Sequence, residues 1–283
     1  MRLVQETEAE DERAIEVYRD LKHSLRVPVV ASLFQAYAAW PRFLDALWRR
    51  LRPSLLAASF LERSQIISNA AVDSISVWPV TDHASALSIR HSAREVARMR
   101  DLVELYHHLN PKLLIIASAV DGALANGVIG GLGNTGPRKP GASYDIGYDH
   151  RTVSVAFSNE REAPLRVRSI FEDMKATADI AWIDAEHRAI ATSPDWLEIW
   201  WRDCKPTYAD PRRAEIRDRL RAQGRAAAGE LPYRLALSAD LLSDLGLQAP
   251  EREQITQTNR VFCESLPGLI IDTAIARKGL GAG

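Results

Sequence analysis

Glu186 is the residue whose type and place most call for chemistry. Trp182 to Pro194 reads as a helix whose apolar positions, Trp182, Ile183, Ala189 and Ile190, fall on one stripe. Glu186 sits inside that stripe, at four residues from both Trp182 and Ile190. A carboxylate on a buried face must be paired, neutralised or used. One use is as a general base of raised pKa, drawing a proton from water; the plainer one is a salt bridge to an arginine of a neighbouring helix. Asp184, the nearby rival, lies off the stripe and stands four residues before Arg188, the spacing of a solvated ion pair. Asn110 precedes Pro111, the pattern of an Asn cap with proline in the first helical turn. An amide at that place is also suited to holding a water molecule or a polar ligand group.

Other chemistries find little support. His107 and His108 are adjacent, so they cannot share a helical face, and no H-E-x-x-H spacing occurs. No metal site and no cofactor are expected. Gly131-Leu132-Gly133-Asn134-Thr135-Gly136 spells G-x-G-x-x-G, but without the strand–turn–helix context that a dinucleotide site needs.

The bulk numbers narrow the classes further. With 36 basic against 37 acidic residues in 283, no net field recruits nucleic acid or an anionic membrane. No run approaches the length of apolar chain that spans a bilayer, and Met1 to Glu8 lacks the apolar run of a signal peptide. Two distant cysteines, Cys204 and Cys263, suit a reduced, cytoplasmic protein.

Helical periodicity dominates the elements that must position these side chains. Prolines mark starts: Pro28 opens Val29 to Trp40, and Pro41 opens Arg42 to Leu51. Further helices are expected at 54–76, 93–108 and 111–124. The one β-like block, Tyr144 to Phe157, lies in a Gly- and Pro-rich connection and suggests at most a short hairpin.

After Pro164 the pattern begins again. Tyr18, Pro41, Trp48 and Pro53 meet Phe171, Pro194, Trp201 and Pro206 at an offset of 153, and Tyr106, Pro111 and Leu113 meet Phe262, Pro267 and Leu269 at 156. The chain is therefore read as all-α: a first helical repeat in 1–127, a connection in 128–161 and a second repeat in 162–283. Two such copies are expected to pack as a pseudo-dimer with a pocket between them. The repeat is also an internal control, because Glu186 is matched by Leu33, and Asn110 by Leu266. The fold does not demand either polar residue.

The sequence resembles the group I, DehI-type 2-haloacid dehalogenases, also called the halocarboxylic acid dehydrogenase family. The resemblance rests on Leu25-Arg26-Val27-Pro28, Pro41 with Leu44 and Trp48-Arg49-Arg50, Asn110-Pro111-Lys112 with Leu114, and Ala189 to Pro194. It implies a cofactor-free hydrolysis at C2 of a short 2-halocarboxylic acid, with water displacing halide directly. The water-activating acid falls on Glu186 where the family has aspartate, and the water-holding asparagine on Asn110. Val29, Ser32, Leu113 and Ala185 stand at the family's pocket positions, all of them different there. Epoxide opening or ring closure on a larger substrate, and a non-catalytic helical ligand-binding protein, stay open, as does a homodimer.

Overall fold

In the computed structural model, which describes residues 2–132 and 153–281, the chain is mostly helical. The helices are α1 (Glu12–Leu25), α2 (Ser32–Tyr37), α3 (Pro41–Leu55), α4 (Ala58–Ser74), α5 (His83–Leu87), α6 (Ala93–Asn126), α7 (Leu165–Ala178), α8 (Ala185–Ile190), α9 (Pro194–Tyr208), α10 (Pro211–Gly229), α11 (Ala239–Asp244) and α12 (Ala249–Gly279). Two short strands, β1 (Val128–Ile129) and β2 (Leu235–Ala236), pair antiparallel with Val128 opposite Ala236.

The element bounds recur along the chain. α1, α2 and α3 start and stop 153 positions before α7, α8 and α9, and α6 starts 156 before α12. Local chemistry recurs with them. Arg26 and Asp179, each just past its helix, both take the left-handed conformation, at φ 57° and 52°. Asp20 accepts from Trp48 Nε1 at 2.8 Å and pairs with Arg52; Asp173 accepts from Trp201 Nε1 at 2.7 Å and pairs with Lys205. Pro41 and Pro194 sit in the first turns of α3 and α9, where no N–H is missed.

Two compact units result. The first comprises Met1–Ile67, Leu109–Tyr144 and Arg219–Gly268; the second comprises Ser68–His108, Asp145–Asp218 and Leu269–Gly283. Each draws on both halves of the sequence, with divisions inside α4, α6, α10 and α12. The first unit has an apolar core that includes Leu33, Phe34, Leu47, Leu51, Leu55, Phe60, Ile116 and Ala117. In the second, Phe171, Trp196, Trp200, Ile270 and Ile271 are buried alongside polar groups. Near the end of α12, Gly279 lies so close to the buried His83 ring that a Cβ there would sit 2.2 Å from Nδ1.

Four expectations are corrected. The 93–108 and 111–124 helices are one helix, α6, running through Pro111. Proline removes the N–H that would bond the His107 carbonyl, and Ser68 Oγ from α4 donates to that oxygen at 3.2 Å instead. Asn110 is thus a mid-helix residue, not a cap. α8 is only six residues long, and Trp182 lies before it, 36% exposed and off the buried face. Val153 to Phe157 forms no strand, and the guanidinium of Arg188 lies 5.7 Å from the Phe157 ring centroid. The rest of that block, together with Gly133, Asn134, Thr135 and Gly136, falls outside the described residues.

Candidate functional site

Six short residues of α8 present two adjacent polar side chains, Glu186 and His187, 3% and 2% exposed. Burial of a charged pair is costly unless the neighbours answer it. The answer comes from one place on α12, where Asp272 and Thr273 are themselves adjacent and buried. Thr273 Oγ1 donates to Glu186 Oε1 at 2.7 Å. His187 Nε2 lies 3.7 Å from Asp272 Oδ2, too long for a hydrogen bond but close for an ion pair.

Asp272 is the centre of a wider cluster. Arg213 of α10 bonds it at 2.8 Å, Tyr208 of α9 donates its hydroxyl at 2.9 Å, and Trp200 Nε1 donates to its backbone carbonyl at 3.2 Å. Arg213 also donates to Thr207 Oγ1 at 2.9 Å and lies over the Tyr208 ring at 3.8 Å. Burial would raise the Asp272 carboxyl, but Arg213 and His187 hold it below its ordinary value. Burial would likewise lower His187, and the Asp272 carboxylate, helped by Glu186 and Asp184, carries it above the usual imidazole value. The result is a carboxylate engaged by Arg213 and Tyr208 with the His187 ring beside it, next to a second carboxyl with its own hydroxyl donor.

Around it stand two more titratable groups. Asp184 heads α8 without a side-chain capping bond, and burial raises its carboxyl. The solvated pair with Arg188 expected from spacing does not describe it: Arg188 Nε donates to the Ser158 carbonyl at 3.0 Å. Tyr106 of α6 is buried, and its phenol is pushed up by burial, with Glu186 adding to the effect. Its hydroxyl has no hydrogen-bond partner among the described residues. Its counterpart is Phe262, so the fold asks for the ring and not for the hydroxyl.

The predicted site residues divide between the units. Glu186 and Ala185 belong to the second. Asn110, Val29, Ser32 and Leu113 belong to the first, where Asn110 and Leu113 are buried and Val29 and Ser32 are half-buried. Beside Asn110 in the chain, the buried Lys112 donates to the last carbonyl of α1, Leu25 O, at 3.3 Å, satisfying a helix end that lacks an internal partner. Among the described residues no group of His, Cys, Asp and Glu is arranged to hold a metal ion. Both cysteines are free, and among the described residues no helix is long and apolar enough to cross a membrane.

Sequence reasoning missed Asp272, Thr273, Arg213 and Tyr208. The signal was present in the repeat: at their matched positions stand Ile116, Ala117, Phe60 and Leu55.

Comparison with known proteins bears on these groups. The family model described as "Halocarboxylic acid dehydrogenase DehI" matches residues 28–184, a range that includes Asn110 and ends two residues before Glu186. An (R)-2-haloacid dehalogenase of Pseudomonas putida is 28% identical over 271 residues, covering 93% of this chain and 87% of the relative. Another, of Rhizobium sp. (strain NHG3), is 24% identical, covering 80% and 86%. Solved structures of a D-2-haloacid dehalogenase, one a mutant complex with D-2-CPA and one a complex with L-LA, superpose with a TM-score of 0.89 at 27% identity. Each covers 99% of this chain and 96% of that chain. With its family model matched over more than half its length, this chain belongs to the DehI family of halocarboxylic acid enzymes.

Proposed function

We propose that the chain hydrolyses short 2-halocarboxylic acids, with Glu186 as the general base. A water molecule gives a proton to the Glu186 carboxylate as its oxygen attacks C2. The new C–O bond forms as the carbon–halogen bond breaks, and halide leaves with the bonding electrons. The product is a 2-hydroxy acid, and a single displacement of this kind inverts C2. Asn110 holds the attacking water through its amide, and Val29, Ser32, Leu113 and Ala185 line the substrate. The reaction draws on no metal or organic cofactor. In the same reading the two sequence repeats are copies of one helical unit arranged as a pseudo-dimer, supported by element bounds that recur at an offset of 153 for α1–α3 and 156 for the start of α6.

The observation that carries this reading is the placement of Glu186. It is 3% exposed and held by a hydroxyl at 2.7 Å, at a position where the matched copy has the fully buried Leu33. A carboxylate kept dry where the fold accepts leucine is placed for proton transfer. The relatives' activity on 2-haloacids supplies the substrate class.

The test is halide release from the two enantiomers of 2-chloropropionate. Glu186→Gln is expected to lose on the order of 10²–10⁴-fold in kcat with the fold intact by circular dichroism, whereas Asp184→Asn retains turnover. A Glu186→Gln enzyme that still releases halide at the parent rate would remove Glu186 from the mechanism.

A further inference from the structure

The hydroxyl of Thr273 has two acceptors at the same distance. Oγ1 lies 2.7 Å from Glu186 Oε1 and 2.7 Å from the backbone carbonyl of Leu269, one turn back along α12. A threonine hydroxyl carries a single hydrogen and two lone pairs. The Leu269 oxygen only accepts. When the hydrogen points at Leu269, Oγ1 therefore faces Glu186 with a lone pair, and the carboxyl must bring the proton. When Glu186 is ionised, the hydrogen turns to it, because a hydrogen bond to a charged oxygen is stronger than one to the neutral Leu269 carbonyl. The geometry suits both protonation states of the carboxyl and differs between them only by rotation of one hydroxyl.

The bond to a residue four positions back is the ordinary habit of a helical threonine. The repeat shows that α12 does not need it, since the matched residue is Ala117 in a helix of the same kind. The contact also spans 87 residues of chain and is buried, where a hydrogen bond to a charged oxygen is shorter and stronger than a neutral one.

We propose that Thr273 is a positioning residue whose hydroxyl follows the proton on Glu186. Resting on Glu186 being the base, the cycle balances as follows. Before the reaction the hydroxyl donates to the Glu186 carboxylate and fixes the direction of its lone pairs. As water forms its bond to C2, its proton passes to the Glu186 carboxylate. With that proton on Oε1, the carboxyl becomes the donor, Oγ1 accepts, and the threonine hydrogen turns to the Leu269 carbonyl. Loss of the proton to solvent restores the first arrangement. Neither oxygen of the pair is left without a bond in either state, so Glu186 keeps its place through the cycle.

The titratable and charged groups around Glu186 include Asp184, His187 and Arg188 of the same segment, Asp272 beside Thr273, Cys204 of α9 and Tyr106 of α6, with Arg213 behind Asp272. Measurements at one fixed pH keep these constant between variants.

Thr273→Val keeps the shape and removes the hydroxyl; Thr273→Ser keeps the hydroxyl. With 2-chloropropionate as the probe, Thr273→Val is expected to lose roughly 10- to 100-fold in kcat with KM changed less than about twofold, and Thr273→Ser to recover most of the loss. A second readout does not need turnover: the carboxylate stretching band of Glu186, identified by its absence in Glu186→Gln, shifts in Thr273→Val and returns in Thr273→Ser. Parent-like kcat in a folded Thr273→Val, or a band that Thr273→Val leaves in place, overturns the proposal. If Glu186→Gln remains active, the general-base reading fails, and the infrared shift still decides whether the Thr273 hydroxyl serves the carboxylate. Should Thr273→Val fail to fold, Thr273→Ala, the residue of the matched copy, takes its place with the same expectations.

Discussion

The two units solve the same packing problem with opposite materials. In the first, Leu33, Phe34, Leu55, Phe60, Ile116 and Ala117 are all buried and all apolar. At the six matched positions of the second stand Glu186, His187, Tyr208, Arg213, Asp272 and Thr273, five of them buried and all of them polar. The surrounding frame is nevertheless the same, down to the Asp–Trp bonds Asp20–Trp48 and Asp173–Trp201. Buried apolar residues thus fill these positions in the first unit, and burial there does not of itself call for polar groups. Buried ion pairs are poor stabilisers compared with well-packed hydrocarbon. Burying five polar residues in one place, with the Arg213–Asp272 ion pair among them, does not serve stability as packed hydrocarbon would.

Exchanging residues between the units tests that contrast. The largest effect is expected for Leu33→Glu, which puts a carboxylate where Ala117 supplies no hydroxyl. It should cost about 4 kcal/mol or more in urea unfolding, since the charge is buried without partners, and adding Ala117→Thr should return about 1 kcal/mol. If Leu33→Glu alone is tolerated, the first unit is not the closed apolar core described above.

Next in size is Arg213→Phe, which copies Phe60 into the second unit and leaves Asp272 with a cation missing. The expected loss is about 3 kcal/mol. The double variant Arg213→Phe/Asp272→Ile, completing the apolar pattern of Phe60 and Ile116, should regain most of that stability while losing halide release. Single and double variants of equal stability would show that Arg213 and Asp272 are not energetically coupled.

The smallest effect concerns pH. His187 is held above the ordinary imidazole value, so its contribution is complete below about pH 6.5 and disappears as pH rises through the raised value. Thermal melting of the parent and of His187→Phe, the residue at the matched position, should therefore differ most under mildly acidic conditions. The gap should close towards alkaline pH. A gap that widens instead would mean that His187 is buried neutral.

The sequence made much of this frame legible, because the signals were local. Pro41 and Pro194 announce α3 and α9, and a constant offset of 153 in the sequence ties α1–α3 to α7–α9. What escaped depends on partners far along the chain. Pro111 looked like a helix start, yet α6 passes through it, and Ser68, 39 residues before His107, satisfies the stranded His107 carbonyl. Trp182 looked like part of the buried stripe, but the chain turns into α8 only at Ala185. Glu186 was conspicuous because it interrupts a stripe. Thr273, 87 residues away, offers no local motif, and becomes visible only when Ala117 is set beside it.

Gly279 has a consequence for the precision of this arrangement. A Cβ there would collide with the His83 ring, and that imidazole is itself fixed by Asp203, 3.0 Å from its Nε2. The last turn of α12 is thereby indexed against α5, six residues beyond Thr273. A helix that slides by one residue advances about 1.5 Å and turns about 100°, which would carry the Thr273 hydroxyl away from Glu186 altogether. The missing side chain acts as a stop on that motion. The tolerance of the polar site is thus set some two helical turns away, by a position with no chemistry of its own.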